Sequence, residues 1–169
     1  CLVQICGKNN KEIYLVQPNK NFETPNLVKV LEDPKIQIVI HFSRKDKSAI
    51  ENFLKPKCKI TSLFDSKVAS RLVRKYSNDH GLSALCQEFA GVRLEKKLAS
   101  SDWAKDMSEY SDKEKMYAAA DVQYLFLIKT KLETMLKREK KYDIFLKCME
   151  FIDTRIEIDN LGIDKIFDH

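Results

Sequence analysis

Between residues 116 and 128 the only charged side chain is Asp121, set in a run of alanines, aliphatic and aromatic residues and one glutamine. Met116, Ala119, Ala120, Leu127, Ile128, Leu132 and Met135 keep the three-and-four spacing of an amphipathic helix. Tyr117 and Asp121 then stand one turn apart on the same face. A carboxylate on such a surface must be hydrogen-bonded, paired or metal-bound, because a lone desolvated charge is very costly. Two readings stay open from these residues alone: an ion pair with one of the chain's 30 Lys and Arg residues, or a site of chemistry.

A chain of 169 residues forms one domain and buries about two thirds of its unfolded surface. With 44% hydrophobic and 33% charged residues, and four Gly and four Pro, it reads as a folded, helix-rich domain, with a tail over about 154–169. Thirty basic against 25 acidic residues permits a polyanionic partner without requiring one. No apolar run is long enough to span a membrane, so a cytoplasmic location is expected. Cys1, Cys6, Cys58, Cys86 and Cys148 include no C-x-x-C pair and read as ordinary buried thiols.

Leu2 to Ile5, a Gly7-Lys8-Asn9-Asn10 turn and Ile13 to Val16 predict a β-hairpin. A short helix follows over 26–33, then a nearly continuous apolar strand over 36–42, of the kind covered on both faces. The next helix, 43–54, starts at Ser43 with Asp46 three residues on, close to a capping box. A residue at the carboxyl end of a buried strand is also where open α/β sheets place their chemistry. A helix over 63–76 sets Lys67, Arg71, Arg74 and Lys75 on one side, either a grip for phosphates or a solvated face. A short helix over 82–89 stops at Gly91. Trp103, the only tryptophan, could stack on a base or anchor its loop. Ser111 to Glu114 caps a central helix expected to run to about residue 141, and a last helix is expected over 142–150. Phosphate-binding glycine loops and serine nucleophile elbows are absent, which excludes nucleotide-loop and serine-hydrolase readings.

The order of a strand, His41-Phe42-Ser43-Arg44-Lys45-Asp46, then His80-Gly81-Leu82, Lys96, Ser101-Asp102-Trp103 and Tyr117-Ala118-Ala119-Ala120-Asp121 resembles the ribonuclease D branch of the DEDD 3′–5′ exonucleases. Within that branch it is most similar to the small α-proteobacterial nanoRNase C group. The resemblance implies an RNase H-like α/β fold with a mixed central sheet flanked by helices, 3′-end trimming of RNA, and two Mg²⁺ or Mn²⁺ ions. By the resemblance, Asp46 and Asp121 are metal ligands and Tyr117 orients or helps deprotonate the attacking water. His41, Lys67, Arg71, Lys96, Ser101 and Trp103 are candidates for contacting RNA. Two ions about 4 Å apart suit phosphodiester hydrolysis, and hard ions take carboxylate oxygens.

The family draws two further acids from an Asp-x-Glu on a strand upstream of the one matching Cys1 to Cys6. This chain opens in that later strand without a methionine. A parent reading frame holding the motif is expected to be active on short RNA and 5′-phosphorylated dinucleotides, and this stretch alone to have little or no activity. The alternatives are tRNA 3′-end processing, and a non-catalytic remnant that binds RNA or assembles with other subunits. A homo-oligomer is also implied.

Overall fold

The computed structural model describes residues 2–7, 12–18, 21–94, 102–163 and 166. The apolar runs at the start form β1 (Val3–Cys6) and β2 (Ile13–Val16), an antiparallel pair with Val3 opposite Val16 and Cys6 opposite Ile13. The predicted turn at 8–10 lies outside the described residues. Helix α1 (Pro25–Glu32) opens on a proline, whose missing N–H costs nothing in a first turn, and buries Val28 and Leu31. Strand β3 (Ile38–Ile40) pairs in parallel with β4 (Leu63–Asp65) across the intervening helix α2 (Ser43–Phe53). Then come α3 (Ser66–Val73), α4 (Leu82–Ala90), a 3₁₀ turn (Met107–Glu109), α5 (Asp112–Gln123), α6 (Leu125–Arg138) and α7 (Tyr142–Asn160). Among the described residues no helix is long and apolar enough to cross a membrane.

Two apolar cores hold these elements. The larger joins Phe64, Val73, Leu85, Ile128, Leu132, Leu136 and Phe145, with the Phe64 and Phe145 ring centroids 4.7 Å apart. The smaller gathers Val28, Leu31, Leu54, Cys58 and Ile60. Each fully buried large side chain is worth about 1.5–3 kcal/mol of transfer free energy, so β4, α3, α4, α6 and α7 form the stable body. Helix α5 packs on β1 and β2 instead. Lys47 of α2, 2% exposed, ties that helix to α7 through Asp153 at 2.7 Å, and also pairs with Glu51.

Several expectations change. Among the described residues the sheet is two separate pairs rather than one central sheet, so one edge of β1 and one of β3 have no strand partner. The stretch 63–76 is a strand followed by a helix, because Asp65 leaves the strand and caps α3 by accepting from the N–H groups of Lys67 and Val68. The strand at 36–42 shortens to three residues. The central helix is two, broken where the Tyr124 N–H turns to the Val122 carbonyl and its ring packs against the larger core. The last helix runs to Asn160 because Ile152 and Ile156, one turn apart, are both buried, so the first part of the expected tail, 154–160, is helical. Met116, expected on the apolar face, is 73% exposed. The hairpin, the Gly91 stop at φ 69° and the Ser111–Glu114 capping box are as expected.

Asp65, 2% exposed, accepts from Phe42 N (3.3 Å), Ser43 N (2.6 Å), Ser43 Oγ (2.7 Å), Lys67 N (2.8 Å) and Val68 N (3.1 Å). Asp65→Ala strands these donors and is expected to cost about 3 kcal/mol or more, with Asp65→Asn costing less. A fall in the urea midpoint with unchanged slope checks this.

Candidate active site

The chain leaves β3 through His41 and Phe42. Phe42 takes a left-handed conformation (φ 64°, ψ 56°) that turns the backbone into α2 and brings the Ser43 N–H to Asp65. For a non-glycine residue this costs about 1 kcal/mol or more, and the Asp65 hydrogen bonds hold it. The expected capping box does not form: Ser43 gives its N–H and hydroxyl to Asp65, and α2 has no side-chain cap. Asp46 is therefore released from a capping role. It makes no hydrogen bond or ion pair among the described residues, and desolvation and the nearby negative charge of Asp65 both raise its pKa.

His41 lies beside this group. Ser66 Oγ donates its one proton to the Ile40 carbonyl (3.2 Å), so the 3.0 Å contact with His41 runs from Nδ1–H to the Ser66 oxygen. The ring then carries its free lone pair on Nε2. Burial lowers the His41 pKa to about 4, which outweighs the opposing effect of Asp65, so the ring is neutral at pH 7. Lys67, on the first turn of α3, rests over the Phe42 ring at 4.1 Å, with the Arg44 guanidinium 5.3 Å from the same ring. Lys67 has no ion pair among the described residues. Arg71, one turn on, is exposed. The His80 pKa is lowered by burial and then by Arg74, Arg71 and Lys67, which marks this side of α3 as electropositive.

The second group is built on α5. Tyr117, Ala118 and Asp121 line a cavity of about 300 Å³ together with Leu2, Gln4 and Trp103. Asp121 is half-buried and has no hydrogen bond or ion pair among the described residues, so the expected pairing with a Lys or Arg is not made there; burial raises its pKa. The pKa of Tyr117 is raised by burial and by Asp121, which keeps the phenol protonated. Cys86, beside Asp121, has its pKa pushed up to about 11 by burial and by that carboxylate, so it is an inert thiol. The Trp103 ring stacks on Tyr117 with centroids 6.0 Å apart and planes 23° off parallel, and also meets Tyr110 at 5.6 Å.

Trp103, Tyr117 and Asp121 thus share one cavity, while His41, Asp46 and Lys67 gather around Asp65 at the ends of β3 and β4. Lys96 and Ser101 lie outside the described residues. Asp65 escaped the sequence reading because its strand is three residues long; its signal was an Asp-Ser step before a helical period. Two unpaired carboxylates offer the hard oxygen donors that Mg²⁺ or Mn²⁺ takes, but no three or more His, Cys, Asp or Glu residues converge as a metal site among the described residues.

The 3′–5′ exonuclease family matches residues 1–137. Ribonuclease D of Gluconacetobacter diazotrophicus is 32% identical over 146 residues, covering 85% of this chain and 35% of the relative; that of Acidiphilium cryptum is 31% identical over 144 residues, with the same coverage. The chain thus spans about a third of the length of these relatives. Among solved structures, Brucella melitensis NrnC superposes with a TM-score of 0.89 at 34% identity over 100% of this chain and 81% of that one. The same protein with bound Mg²⁺ and bound to pGG each give 0.87. Escherichia coli RNase D, at 23% identity and a TM-score of 0.76 over 92% of this chain and 40% of that one, shares the fold. With this mixed α/β architecture and these matches, the chain belongs to the 3′–5′ exonuclease family, on its ribonuclease D-like branch.

Proposed function

We propose that this chain is the body of a metal-dependent 3′–5′ exoribonuclease that hydrolyses short 5′-phosphorylated RNA, dinucleotides included, to mononucleotides. The observation that carries the reading is the pair of carboxylates, Asp46 and Asp121, with raised pKa values and, among the described residues, no ion-pair partner, in a family-matched frame. Asp121 is half-buried, and an acid there without a partner is unfavourable unless something positive joins it. The similar Brucella protein, solved with Mg²⁺ and with pGG, supports a divalent ion and a short RNA as what joins.

Asp46 and Asp121 would hold the metal ions, which supply an acidified water and neutralise charge on the leaving oxygen. Tyr117 keeps its proton on the phenolic oxygen and donates it in a hydrogen bond to orient the attacking water. Lys67 and Arg71 offer cations to phosphate, and neutral His41 offers the Nε2 lone pair to a ribose hydroxyl or a water. Two carboxylates are fewer than the family's chemistry uses, and the unpaired edge of β1 is where a strand bearing an Asp-x-Glu would add. The chain is accordingly proposed to reach full turnover with that strand present and to have little without it. A homo-oligomer is proposed as well, through apolar side chains left exposed on α7 such as Ile144 and Leu146.

Mononucleotide release from a 5′-phosphorylated diribonucleotide and from a longer RNA, with Mn²⁺, tests this for the chain alone and for the chain with its upstream residues. Asp121→Ala is expected to abolish turnover and Asp46→Asn to lower it strongly; normal turnover in either removes the metal assignment. Preference for the long RNA would favour tRNA-type processing, and binding without hydrolysis in both forms would favour a non-catalytic remnant.

Two stability predictions accompany it. In metal-free buffer Asp121→Asn keeps or raises the unfolding midpoint, while it loses the gain from Mn²⁺ at about 100 times Kd, about 2.7 kcal/mol for one site. His41, with its folded pKa of about 4 below the unfolded value of 6.5, contributes stability that is full above pH 6.5 and is lost as the pH falls through 4. Denaturant titrations between pH 7 and 4 are expected to show a flatter acid limb in His41→Gln.

A further inference from the structure

The Tyr117 hydroxyl makes no hydrogen bond among the described residues, so its direction must be set by what packs against the ring. Trp103 packs there, and Trp103 belongs to a loop, 102–110 among the described residues, in which Tyr110 is the buried aromatic anchor. The remaining anchors are polar. Gln17, just past β2, donates from Nε2 to the Lys105 carbonyl (2.7 Å) and accepts on Oε1 from the Met107 N–H (2.9 Å). Both ends of one amide are used in complementary senses, which fixes its orientation. The two backbone groups lie two residues apart, so a single side chain gives this loop the pairing that a neighbouring strand would give.

The remaining contacts lead from that latch to the indole. Lys105 Nζ reaches Glu114 on the first turn of α5 at 2.8 Å and sits 5.2 Å from the centroid of the Tyr110 ring. Tyr110, 4% exposed, donates its hydroxyl to the Trp103 carbonyl at 2.9 Å. Asp106 and Glu109 close a capping box inside the loop. The chain of contacts is therefore β2, Gln17, the loop backbone, Tyr110, Trp103 and Tyr117.

We propose that Gln17 latches the loop so that Trp103 is pressed on Tyr117, making Gln17 and Trp103 positioning residues for the phenol beside Asp121. The catalytic consequence rests on the exonuclease reading above; the latch itself does not. A displacement of about 1 Å at a reacting group can cost up to about 100-fold in rate, so a stack that fixes a phenol without a hydrogen bond has a measurable effect.

Trp103 is the only tryptophan, so its fluorescence reports the stack directly. Gln17→Ala is expected to shift the emission to the red, raise its quenching by iodide and weaken the near-ultraviolet dichroism, as Tyr117→Leu does, with far-ultraviolet dichroism unchanged. Asn52→Ala, on the exposed side of α2, leaves the spectrum as it is. Should Gln17→Ala fail to fold, Gln17→Glu keeps an acceptor for Met107 but sets a carboxylate oxygen against the Lys105 carbonyl, and a shift in the same direction is expected. In protein that turns over with Mn²⁺, Gln17→Ala lowers kcat about tenfold with KM within about twofold. A wild-type spectrum in the folded Gln17 variants overturns the latch, and a shifted spectrum with unchanged kcat overturns the positioning role. If the wild-type chain shows no turnover with or without its upstream residues, the exonuclease reading fails and the spectra alone decide the latch.

Discussion

One buried carboxylate sets the geometry on which the rest depends. Asp65 ends β4, caps α3 and takes both donors of Ser43 at the start of α2, so a single side chain fixes two helices to the end of the parallel strand pair. Its oxygens replace the bonds that strand ends and first helical turns otherwise leave to water. Because Ser43 is held this way, Phe42 is forced into its left-handed turn and Asp46, one helical turn on, is left without a backbone to cap. The same negative charge that organises the backbone also raises the pKa of Asp46. Structural and chemical carboxylates are thus neighbours with opposite circumstances, one saturated with donors and the other without any among the described residues.

What could be read in the sequence follows from how local each signal is. The Ser111–Glu114 box, the Gly91 stop and the Tyr117–Asp121 spacing are contained within a turn or two, and all three are seen. The break at Tyr124 and the extension of α7 were missed because each is decided by a distant core. The β4 strand was missed because three residues leave no period to count. For the site, the lone Asp121 was conspicuous in sequence. Its lack of a basic partner among the described residues was not, since that depends on where each Lys and Arg side chain comes to rest.

The charges describe a molecule that spends stability on its site. Among the described residues Asp46 and Asp121 stand unpaired and Lys67 has an aromatic face rather than a carboxylate beside it, while His41 is kept neutral by burial. Elsewhere the same chain pairs buried charges carefully: Lys47 meets Glu51 and Asp153, and Arg74 meets Glu88. The contrast between satisfied ions in the body and unsatisfied ones at the strand ends and on α5 is the pattern that marks a candidate functional site.

Helix α7 begins after the stretch that the family match covers, yet it supplies Phe145 to the larger core and Asp153 to Lys47 of the helix that carries Asp46. The stretch that the family match covers and the unit that folds are therefore not the same length. A fragment cut at the last matched residue would keep every candidate catalytic side chain and lose the wall against which two of its elements are set. Any residues put in place of α7 would have to fill the same volume and answer the same buried ammonium.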